Sequence, residues 1–307
     1  MPALTVLRPG MLTTVQDLGR WGYQSSGVPV AGPMDGYSHR RANRLVGNDD
    51  SAPALEVTLI GPELQADDDV VCAVAGARFS VSVGGALVPP DAPFVAPAGH
   101  RIRFGPRAAG ARATLAVRGG FALPETFGSR ATSLVSGMGP FGGRALATGD
   151  VLPIGQVRQT NTRAVGPPLA LPAGGTAVRV MLGPHESMFT TAARDALFGS
   201  RFTVTPSSNR MGYRLDGPPL ERVGPSEILS DATPMGSLQV PASGLPILLM
   251  ADRQTTGGYP KIGTVITADL PLAGQLAPGD WVEFTRCTRA AAVEALRLLE
   301  RRLAGSS

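Results

Sequence analysis

The sequence predicts a mainly β protein with a few short helices, in which short strands close into a barrel or pack as a sandwich. Among 307 residues there are 39 glycines and 28 prolines, whereas aromatic residues make up only 5%. Runs of branched apolar residues recur at short intervals between Gly and Pro turns. Strands at this spacing are typical of barrels and sandwiches, and they argue against long helices.

The first half of the chain carries most of the predicted strands, at residues 4–7, 55–60, 70–74, 78–83, 86–88, 101–104 and 113–117. Gly84-Gly85 predicts a tight hairpin turn. Asp35 is expected to cap a helix that runs from Gly36 to about Val46 and stops at Gly47. We expect Asn43 to be an ordinary surface residue of this helix; the alternative is that it faces the polar loop before the helix.

A second group of elements follows a polar, Pro- and Gly-rich segment at residues 156–176, which is the best linker candidate in the chain. We therefore place a domain boundary near residue 170. By contrast, residues 13–23 in the first half are so rich in polar residues and glycine that we expect an irregular segment there. The elements predicted after the boundary are strands at 177–182, 202–205, 245–251 and 262–267, a last hairpin at 277–284, and helices at 186–198 and 290–302.

The composition narrows the possible classes of protein. With 43% hydrophobic and 17% charged residues the chain can bury a core, and its net charge of +4 is not gathered into an Arg cluster interleaved with aromatics. This disfavours nucleic acid binding. No apolar run reaches about 18 residues and no signal peptide is recognisable at the start, so we expect no membrane span and a cytoplasmic location.

Several kinds of site are not predicted. Three scattered histidines and two cysteines do not have metal-ligand spacing, so no metal site is expected. Cys72 lies in an apolar run and is expected to be a buried thiol. No phosphate-binding loop, nucleophile elbow or dinucleotide fingerprint occurs in the chain.

The segment Asp252-Arg-Gln-Thr-Thr-Gly-Gly-Tyr-Pro-Lys261 is the best candidate for a functional site. It lies between two predicted strands, where a scaffold commonly places binding groups. Lys261 is the only lysine beside 27 arginines, and lysine offers a compact charge that can lose its proton when desolvated. The alternative is a chance lysine in a surface hairpin. From this segment we predict Lys261, Tyr259 and Gln254 as catalytic residues, and as substrate-binding residues Thr255, Thr256, Gly257 and Gly258.

A second candidate lies at residues 128–133, Gly-Ser-Arg-Ala-Thr-Ser. Arg130 would act as a fork for a carboxylate, with Ser129 and Thr132 as hydroxyl donors. Ordinary turn chemistry is the alternative explanation of this segment.

Seven motifs resemble the biotin-dependent carboxyltransferase A/B-subdomain family, formerly called allophanate hydrolase subunit 2, and the resemblance extends from about residue 4 to residue 285. The resemblance implies two cyclophilin-like β-barrel subdomains, residues 1–170 (A) and residues 171–307 (B, with a C-terminal helix). The motifs are Thr14–Tyr23, Gly32–Asp35, Ala42–Asn48, Leu55–Thr58, Gly128–Thr132, Asn209–Leu215 and Asp252–Tyr259.

The resemblance also implies an activity. Stand-alone members of this size are typically the C subunit of ATP-dependent 5-oxoprolinase, which hydrolyses 5-oxo-L-proline to L-glutamate together with A and B subunits, B being kinase-inhibitor-like. The chain alone is expected to bind no cofactor, and ATP is used by the complex.

Two other functions remain open. One is a carboxyltransferase component of a biotin-dependent urea or amide carboxylase, and biotin enters only in this case. Lys261 lies in Tyr-Pro-Lys-Ile, which is not a biotinyl site, so biotin would arrive on another protein. The other is a non-enzymatic antagonist of a kinase-inhibitor-like partner.

The family motifs extend the set of expected substrate-binding residues. Arg130 or Arg210 would hold the substrate carboxylate, while Lys261 and Tyr259 would polarise the lactam or move a proton. Asn209 stands where aspartate is more common, which argues against an acid at that position. The other expected binding residues from the motifs are Gln16, Asp17, Arg20, Ser129 and Tyr213.

Overall fold

The computed structural model describes residues 2–157, 164–224 and 227–305. These residues form two compact units. The first contains the described residues of Met1–Arg20, Ala31–Leu171 and Arg301–Ser307, and the second those of Trp21–Val30 and Pro172–Glu300. Part of the predicted linker, residues 158–163, lies outside the described residues, and the assignment of subdomains A and B remains a prediction.

The described strands of the first unit form one nine-stranded sheet with the order β2-β3-β8-β4-β1-β9, in which β5 pairs with β6, β7 and β8. The sheet surrounds a core of aliphatic and aromatic side chains that includes the buried Cys72, as predicted. The strands are β1 (Ala3–Arg8), β2 (Leu12–Gln16), β3 (Ala54–Thr58), β4 (Glu63–Ala66), β5 (Val70–Val83), β6 (Ala86–Leu87), β7 (Pro93–Ala96), β8 (Arg101–Val117) and β9 (Val151–Pro153).

Two long strands replace four short strands of the prediction. Residues 70–74 and 78–83 belong to β5, and residues 101–104 and 113–117 belong to β8. The two strands pair along their length, with register shifts between Gly76 and Val81. Bulges of this kind bend a strand without ending it. The polar and small residues between the apolar runs therefore mark bends, and the prediction of separate strands was wrong. The Gly84-Gly85 hairpin is confirmed, with Ser82 opposite Leu87.

The polar segment after the first strand is regular, contrary to the prediction. Leu12–Gln16 forms β2, which pairs residue by residue with β3. Thr13, Thr14 and Gln16 are buried in it, and each uses its side chain in a hydrogen bond. Buried polar groups are tolerated when they are hydrogen-bonded, so a polar composition did not prevent a strand here.

The first helix follows its sequence signals. α1 spans Gly36–Leu45, and the Asp35 carboxylate accepts a hydrogen bond from the Ser38 backbone N–H at 2.9 Å. Gly47 has φ of 78°, a left-handed conformation that ends the helix. The predicted cap, start and stop of this helix are therefore confirmed.

The described strands of the second unit form a closed seven-stranded barrel, with the order β10-β17-β14-β15-β12-β11-β18, and a separate β13-β16 ribbon. Phe202 and Phe284 stack in its core with centroids 5.7 Å apart. The strands are β10 (Gly175–Leu182), β11 (Arg201–Val204), β12 (Gly212–Asp216), β13 (Asp231–Ala232), β14 (Ser237–Gln239), β15 (Ile247–Leu249), β16 (Thr256–Gly257), β17 (Lys261–Val265) and β18 (Trp281–Arg286).

Two predictions for this half need correction. Residues 277–284 are no hairpin: β18 pairs in parallel with β10 and antiparallel with β11, which closes the barrel. The predicted helix at 186–198 is divided because Thr190, in an extended conformation, caps a new helix after the short 3-10 turn Glu186–Met188.

The further helices that the structure describes are α2 (Pro140–Gly143, a single turn), α3 (Thr191–Gly199), α4 (Leu270–Gly274) and α5 (Arg289–Leu303).

The mainly β fold with a few short helices is thus confirmed. Among the helices that the structure describes, none combines the length and the apolar character needed to cross a bilayer.

Asn43 of α1 belongs to a buried polar network, so the prediction of a surface residue was wrong. Its side-chain amide donates to the Ala52 carbonyl at 2.9 Å and accepts from Asn48 Nδ2 at 3.0 Å. The same amide nitrogen lies 3.2 Å from His39 Nε2. An amide nitrogen can only donate, so this imidazole nitrogen accepts and is unprotonated.

Burial lowers the pKa of His39 to about 4, although the Asp17 carboxylate opposes this shift. The unfolded chain therefore binds an extra proton between about pH 6.5 and pH 4, and stability is lost as the pH falls through this window. We expect up to about 3 kcal/mol of stability to disappear, as measured by urea unfolding across this range. His39→Gln should flatten the pH dependence, and an equally steep profile in this variant would contradict the assignment.

Candidate functional site

The segment 252–261 lies between two strands of the barrel in the second unit, as the sequence predicts. It follows β15, contributes β16 to the ribbon with β13, and ends at Lys261, the first residue of β17. The ribbon places Asp231 opposite Gly257. A residue from β13 is thereby brought against the motif, although it lies about twenty positions earlier in the chain.

Lys261 is buried and ion-paired. Its side chain is only 3% exposed, and its Nζ donates to Asp231 Oδ2 at 2.7 Å. Asp231 is half exposed at 51%, and the hydrogen bond from Lys261 is the main cause that lowers the pKa of its carboxyl. Lys261 is therefore not a surface residue: its ammonium is held inside and its counter-ion faces outward. Its catalytic role stays a prediction.

His185 also contacts this lysine. The Lys261 backbone N–H donates to His185 Nδ1 at 3.3 Å, so this ring nitrogen acts as an acceptor. Desolvation and the Lys261 ammonium both lower the pKa of His185, with Asp231 opposing them. Sequence reasoning did not select His185 or Asp231, because neither lies in a motif that signals chemistry.

Gln239 and Gln254 meet beside Lys261. The register of β14 and β17 puts Gln239 opposite Lys261, and Gln254 Nε2 lies 3.5 Å from Gln239 Oε1. A Cβ at Gly257 would lie 2.6 Å from Gln239 Nε2, which is closer than real contacts allow. Gly257 therefore lets the backbone lie close to a side-chain amide, and it does not take a positive φ.

Arg210 and Asp252 form a buried ion pair in the same unit. Arg210 Nε lies 3.1 Å from Asp252 Oδ2, and its Nη2 lies 3.0 Å from Oδ1. The two side chains are 2% and 1% exposed. This bidentate geometry fixes the start of the motif. The sequence prediction that Arg210 holds a substrate carboxylate is not supported by this arrangement, because a protein carboxylate already occupies the fork.

The other predicted residues of the second unit vary in exposure. Tyr259 is 39% exposed, whereas Tyr213 is buried in β12 opposite Leu248. Gly258 accepts through its carbonyl from the Ile228 N–H at 2.8 Å. Thr255 accepts in the same way from Thr233 at 3.0 Å, and Thr256 is exposed in β16.

A separate cluster in the first unit is built around Asp17, which follows β2. Asp17 Oδ1 accepts from the Gly19 N–H at 2.9 Å and from Ser129 Oγ at 2.6 Å. Its Oδ2 accepts from the Arg130 N–H at 2.5 Å. Ser129 Oγ in turn accepts from the Ala131 N–H at 3.0 Å. Asp17 therefore holds the segment 129–131, which makes it a positioning residue for Arg130.

Gln16 and Arg20 hold the backbone at the end of this segment, at residues 131 and 132. Gln16 Nε2 donates to the Thr132 carbonyl at 3.0 Å, and Arg20 donates to the Ala131 carbonyl. Both side chains are buried. These hydrogen bonds go to the protein backbone, which is what a supporting role requires.

Arg130 is the most accessible of the charged residues in this cluster. Its side chain is 30% exposed, its Nη1 lies 2.8 Å from Glu125 Oε1, and its Nε donates to the Leu123 carbonyl at 2.6 Å. It lines an open depression of about 720 Å³ within the first unit, together with Glu125 and Phe121. A guanidinium in such a place can pair with a small anion.

The predicted site residues therefore fall into two groups, one in each unit. In the second unit, Gln239 links the predicted residues: it stands opposite Lys261, and Gln254 and Gly257 lie next to its side-chain amide. No group of three or more metal-ligating side chains occurs among residues 2–157, 164–224 and 227–305. The group in the first unit consists of Gln16, Asp17, Arg20, Ser129 and Arg130.

Comparison with known proteins gives consistent matches along the chain. Residues 26–286 match the family described as carboxyltransferase domain, subdomain A and B. The chain is 39% identical over 292 residues to the C subunit of 5-oxoprolinase from Escherichia coli (strain K12), covering 95% of this chain and 94% of that protein. It is 37% identical over 277 residues to the C subunit of 5-oxoprolinase from Haemophilus influenzae, covering 88% of this chain and 87% of that protein.

A solved structure is similar over almost the whole chain. The crystal structure of the K. lactis urea amidolyase matches with a TM-score of 0.92 and 32% identity. The match covers 98% of this chain but only 20% of that chain. Similar folds thus occur both in separate subunits and as a small part of a much larger protein.

Proposed function

Because the chain belongs to the carboxyltransferase subdomain A and B family, we propose that it is a subunit of an ATP-dependent 5-oxoprolinase. In this role it would help to hydrolyse 5-oxo-L-proline to L-glutamate, together with A and B partner subunits. Support comes from similarity to two proteins named as the C subunit of 5-oxoprolinase, each covered over more than four fifths of its length.

The ion pair between the buried Lys261 and the half-exposed Asp231 is the observation that supports a site for this reaction. A lysine ammonium that is 3% exposed is a strong hydrogen-bond donor, since little water competes for it. Its counter-ion is half exposed, so a polar substrate can approach from that side. Donors of this kind stabilise the negative charge that develops on a carbonyl oxygen during attack.

The reaction assigns a task to each group. Water adds to the lactam carbonyl carbon, the C–N bond breaks, and the ring nitrogen gains a proton and leaves as the amine of glutamate. Lys261 would polarise the carbonyl, and the accessible hydroxyl of Tyr259 would move the proton. Gln254 would orient the substrate beside them.

The partner subunits account for ATP in this proposal. The sequence contains no GxxxxGK[ST] loop, so ATP would be bound and hydrolysed elsewhere in the complex. This chain would contribute the lactam-binding groups and bind no cofactor of its own. Purified alone, it should release no glutamate from 5-oxoproline and ATP.

A second candidate is a carboxyltransferase component acting on urea or a related amide. The fold match to the K. lactis urea amidolyase favours this candidate. The same polarising groups would then act on an amide carbonyl, and carboxybiotin would be supplied by a biotinylated partner.

The test is ATP-dependent glutamate release from 5-oxoproline by the chain co-purified with its partner subunits. Lys261→Met should lower kcat by about 100- to 1000-fold, as expected for loss of a donor to a developing oxyanion. Arg286→Met is the matched control: Arg286 also pairs with an aspartate, at 3.7 Å, but its side chain is 56% exposed. This control should keep wild-type activity.

The outcomes separate the candidates. Loss of activity in an assembled Lys261→Met complex supports the oxoprolinase site. An intact wild-type complex that releases no glutamate would contradict the proposal, and a requirement for a biotinylated partner with urea or an amide would favour the second candidate.

A further inference from the structure

Strand β14 carries a buried side-chain amide whose nitrogen has no hydrogen-bond partner among the described residues. Gln239 is 1% exposed, and its Nε2 has no hydrogen-bond partner in the part of the chain that the structure describes. Its Oε1 faces Gln254 Nε2 at 3.5 Å. A buried donor without an acceptor destabilises the folded chain, so its presence calls for an explanation.

The strand pairing places this amide beside the buried lysine. Gln239 stands opposite Lys261, and the register shifts between Leu238 and Gln239. Opposed residues project to the same face with Cβ atoms about 5 Å apart. Such bulges occur often beside active sites, where they redirect a side chain. The strand pairing thus brings the Gln239 and Lys261 positions next to each other, at the point where the register shifts.

The backbone of the 252–261 segment lies close to the Gln239 amide at Gly257. The Cβ of any residue other than glycine at position 257 would lie 2.6 Å from Gln239 Nε2 and 3.3 Å from Gln254 Nε2. A larger residue would push the Gln239 amide away from its present position. Glycine at position 257 therefore leaves the Gln239 amide in its present position.

We propose that Gln239 is a substrate-binding residue whose Nε2–H donates to the lactam carbonyl oxygen that Lys261 polarises. This inference rests on the proposed function and extends it, since it names the atom that recognises the substrate. A carbonyl oxygen has two lone pairs and can accept from both donors. Two fixed donors on one oxygen form the arrangement that stabilises a tetrahedral intermediate.

The test compares 5-oxoproline with the analogue in which sulfur replaces the lactam oxygen, because sulfur is a weak acceptor. Substrate consumption by the complex with its partner subunits is measured for wild type and Gln239→Leu. We expect kcat/KM to fall about 100-fold for the oxygen substrate and less than about threefold for the sulfur analogue. Equal losses on both substrates would show a structural role and overturn the inference.

Two variants guard against misfolding as the cause. Gln239→Glu keeps the size of the side chain but removes the N–H donor, and it should show the same substrate-dependent loss. Ser237→Ala is the matched control. Ser237 Oγ is likewise buried with no partner among the described residues, but Ser237 stands opposite Thr264 and not Lys261. The ratio of kcat/KM for the oxygen substrate to kcat/KM for the sulfur analogue should be the same in Ser237→Ala as in wild type.

Binding measurements separate this inference from the proposed function. If the wild-type complex does not turn over 5-oxoproline, the proposed function fails, and calorimetry then decides the role of Gln239. A Kd for 5-oxoproline weakened at least tenfold by Gln239→Leu, but unchanged by Ser237→Ala, would support the inference. An unchanged Kd, or no binding by the wild-type complex, would overturn it.

Discussion

Replacing Asp252 by alanine is expected to lower the free energy of unfolding by about 3–5 kcal/mol. The carboxylate makes two hydrogen bonds to Arg210, at 3.1 and 3.0 Å, and both side chains are at most 2% exposed. Its removal leaves a guanidinium buried without its counter-ion, and this desolvated charge is the source of the cost. Urea unfolding followed by tryptophan fluorescence measures this loss of stability. Trp21 and Trp281 belong to the second unit, as Arg210 and Asp252 do, so their fluorescence reports on its unfolding.

Two comparisons identify the buried charge as the cause. Glu283→Ala breaks the pair with Arg201, whose side chains are 39% and 63% exposed, and it should cost less than about 1 kcal/mol. The double variant Arg210→Met with Asp252→Leu removes both charges and should recover a large part of the loss. A double variant as unstable as Asp252→Ala would contradict this explanation.

Asp17→Ala should cost about 2–4 kcal/mol in the first unit, because one buried carboxylate accepts three hydrogen bonds. Its loss leaves the Ser129 hydroxyl and the Arg130 N–H without their acceptor. We expect the midpoint of urea unfolding to move to a lower urea concentration. The backbone amide of Arg130 should also exchange its hydrogen faster with solvent.

The control for this prediction is Asp68→Ala. Asp68 is exposed and accepts a hydrogen bond from the adjacent Asp69 N–H at 2.8 Å. Its removal should change stability by less than about 0.5 kcal/mol. Unchanged exchange of the Arg130 amide in Asp17→Ala would show that the 129–131 segment holds its conformation without this carboxylate.

The family resemblance predicted from seven motifs is confirmed by the match over residues 26–286. Local signals were reliable where the cause is local. Asp35 caps α1 and Gly47 ends it, because an N-cap and a left-handed stop depend only on neighbouring backbone groups. The Gly84-Gly85 hairpin is confirmed for the same reason.

Predictions failed where distant residues decide the outcome. The polar residues of β2 form a regular strand because β3 supplies their backbone partners. Asn43 faces the interior, where Asn48 and the Ala52 carbonyl satisfy its amide. Neither partner can be read from the periodicity of the segment itself.

The sequence by itself determined the mainly β class, the family and the motif that contains Lys261, because composition, turn residues and motif order are properties of the chain. Only the tertiary structure decided which side chains meet that lysine. Asp231 reaches it through the ribbon, Gln239 through strand pairing and His185 from the turn after β10, over separations of 30, 22 and 76 positions. The reason is physical: burial and cross-strand contact turn an isolated lysine into a paired, desolvated donor, and these exist only once the barrel has closed.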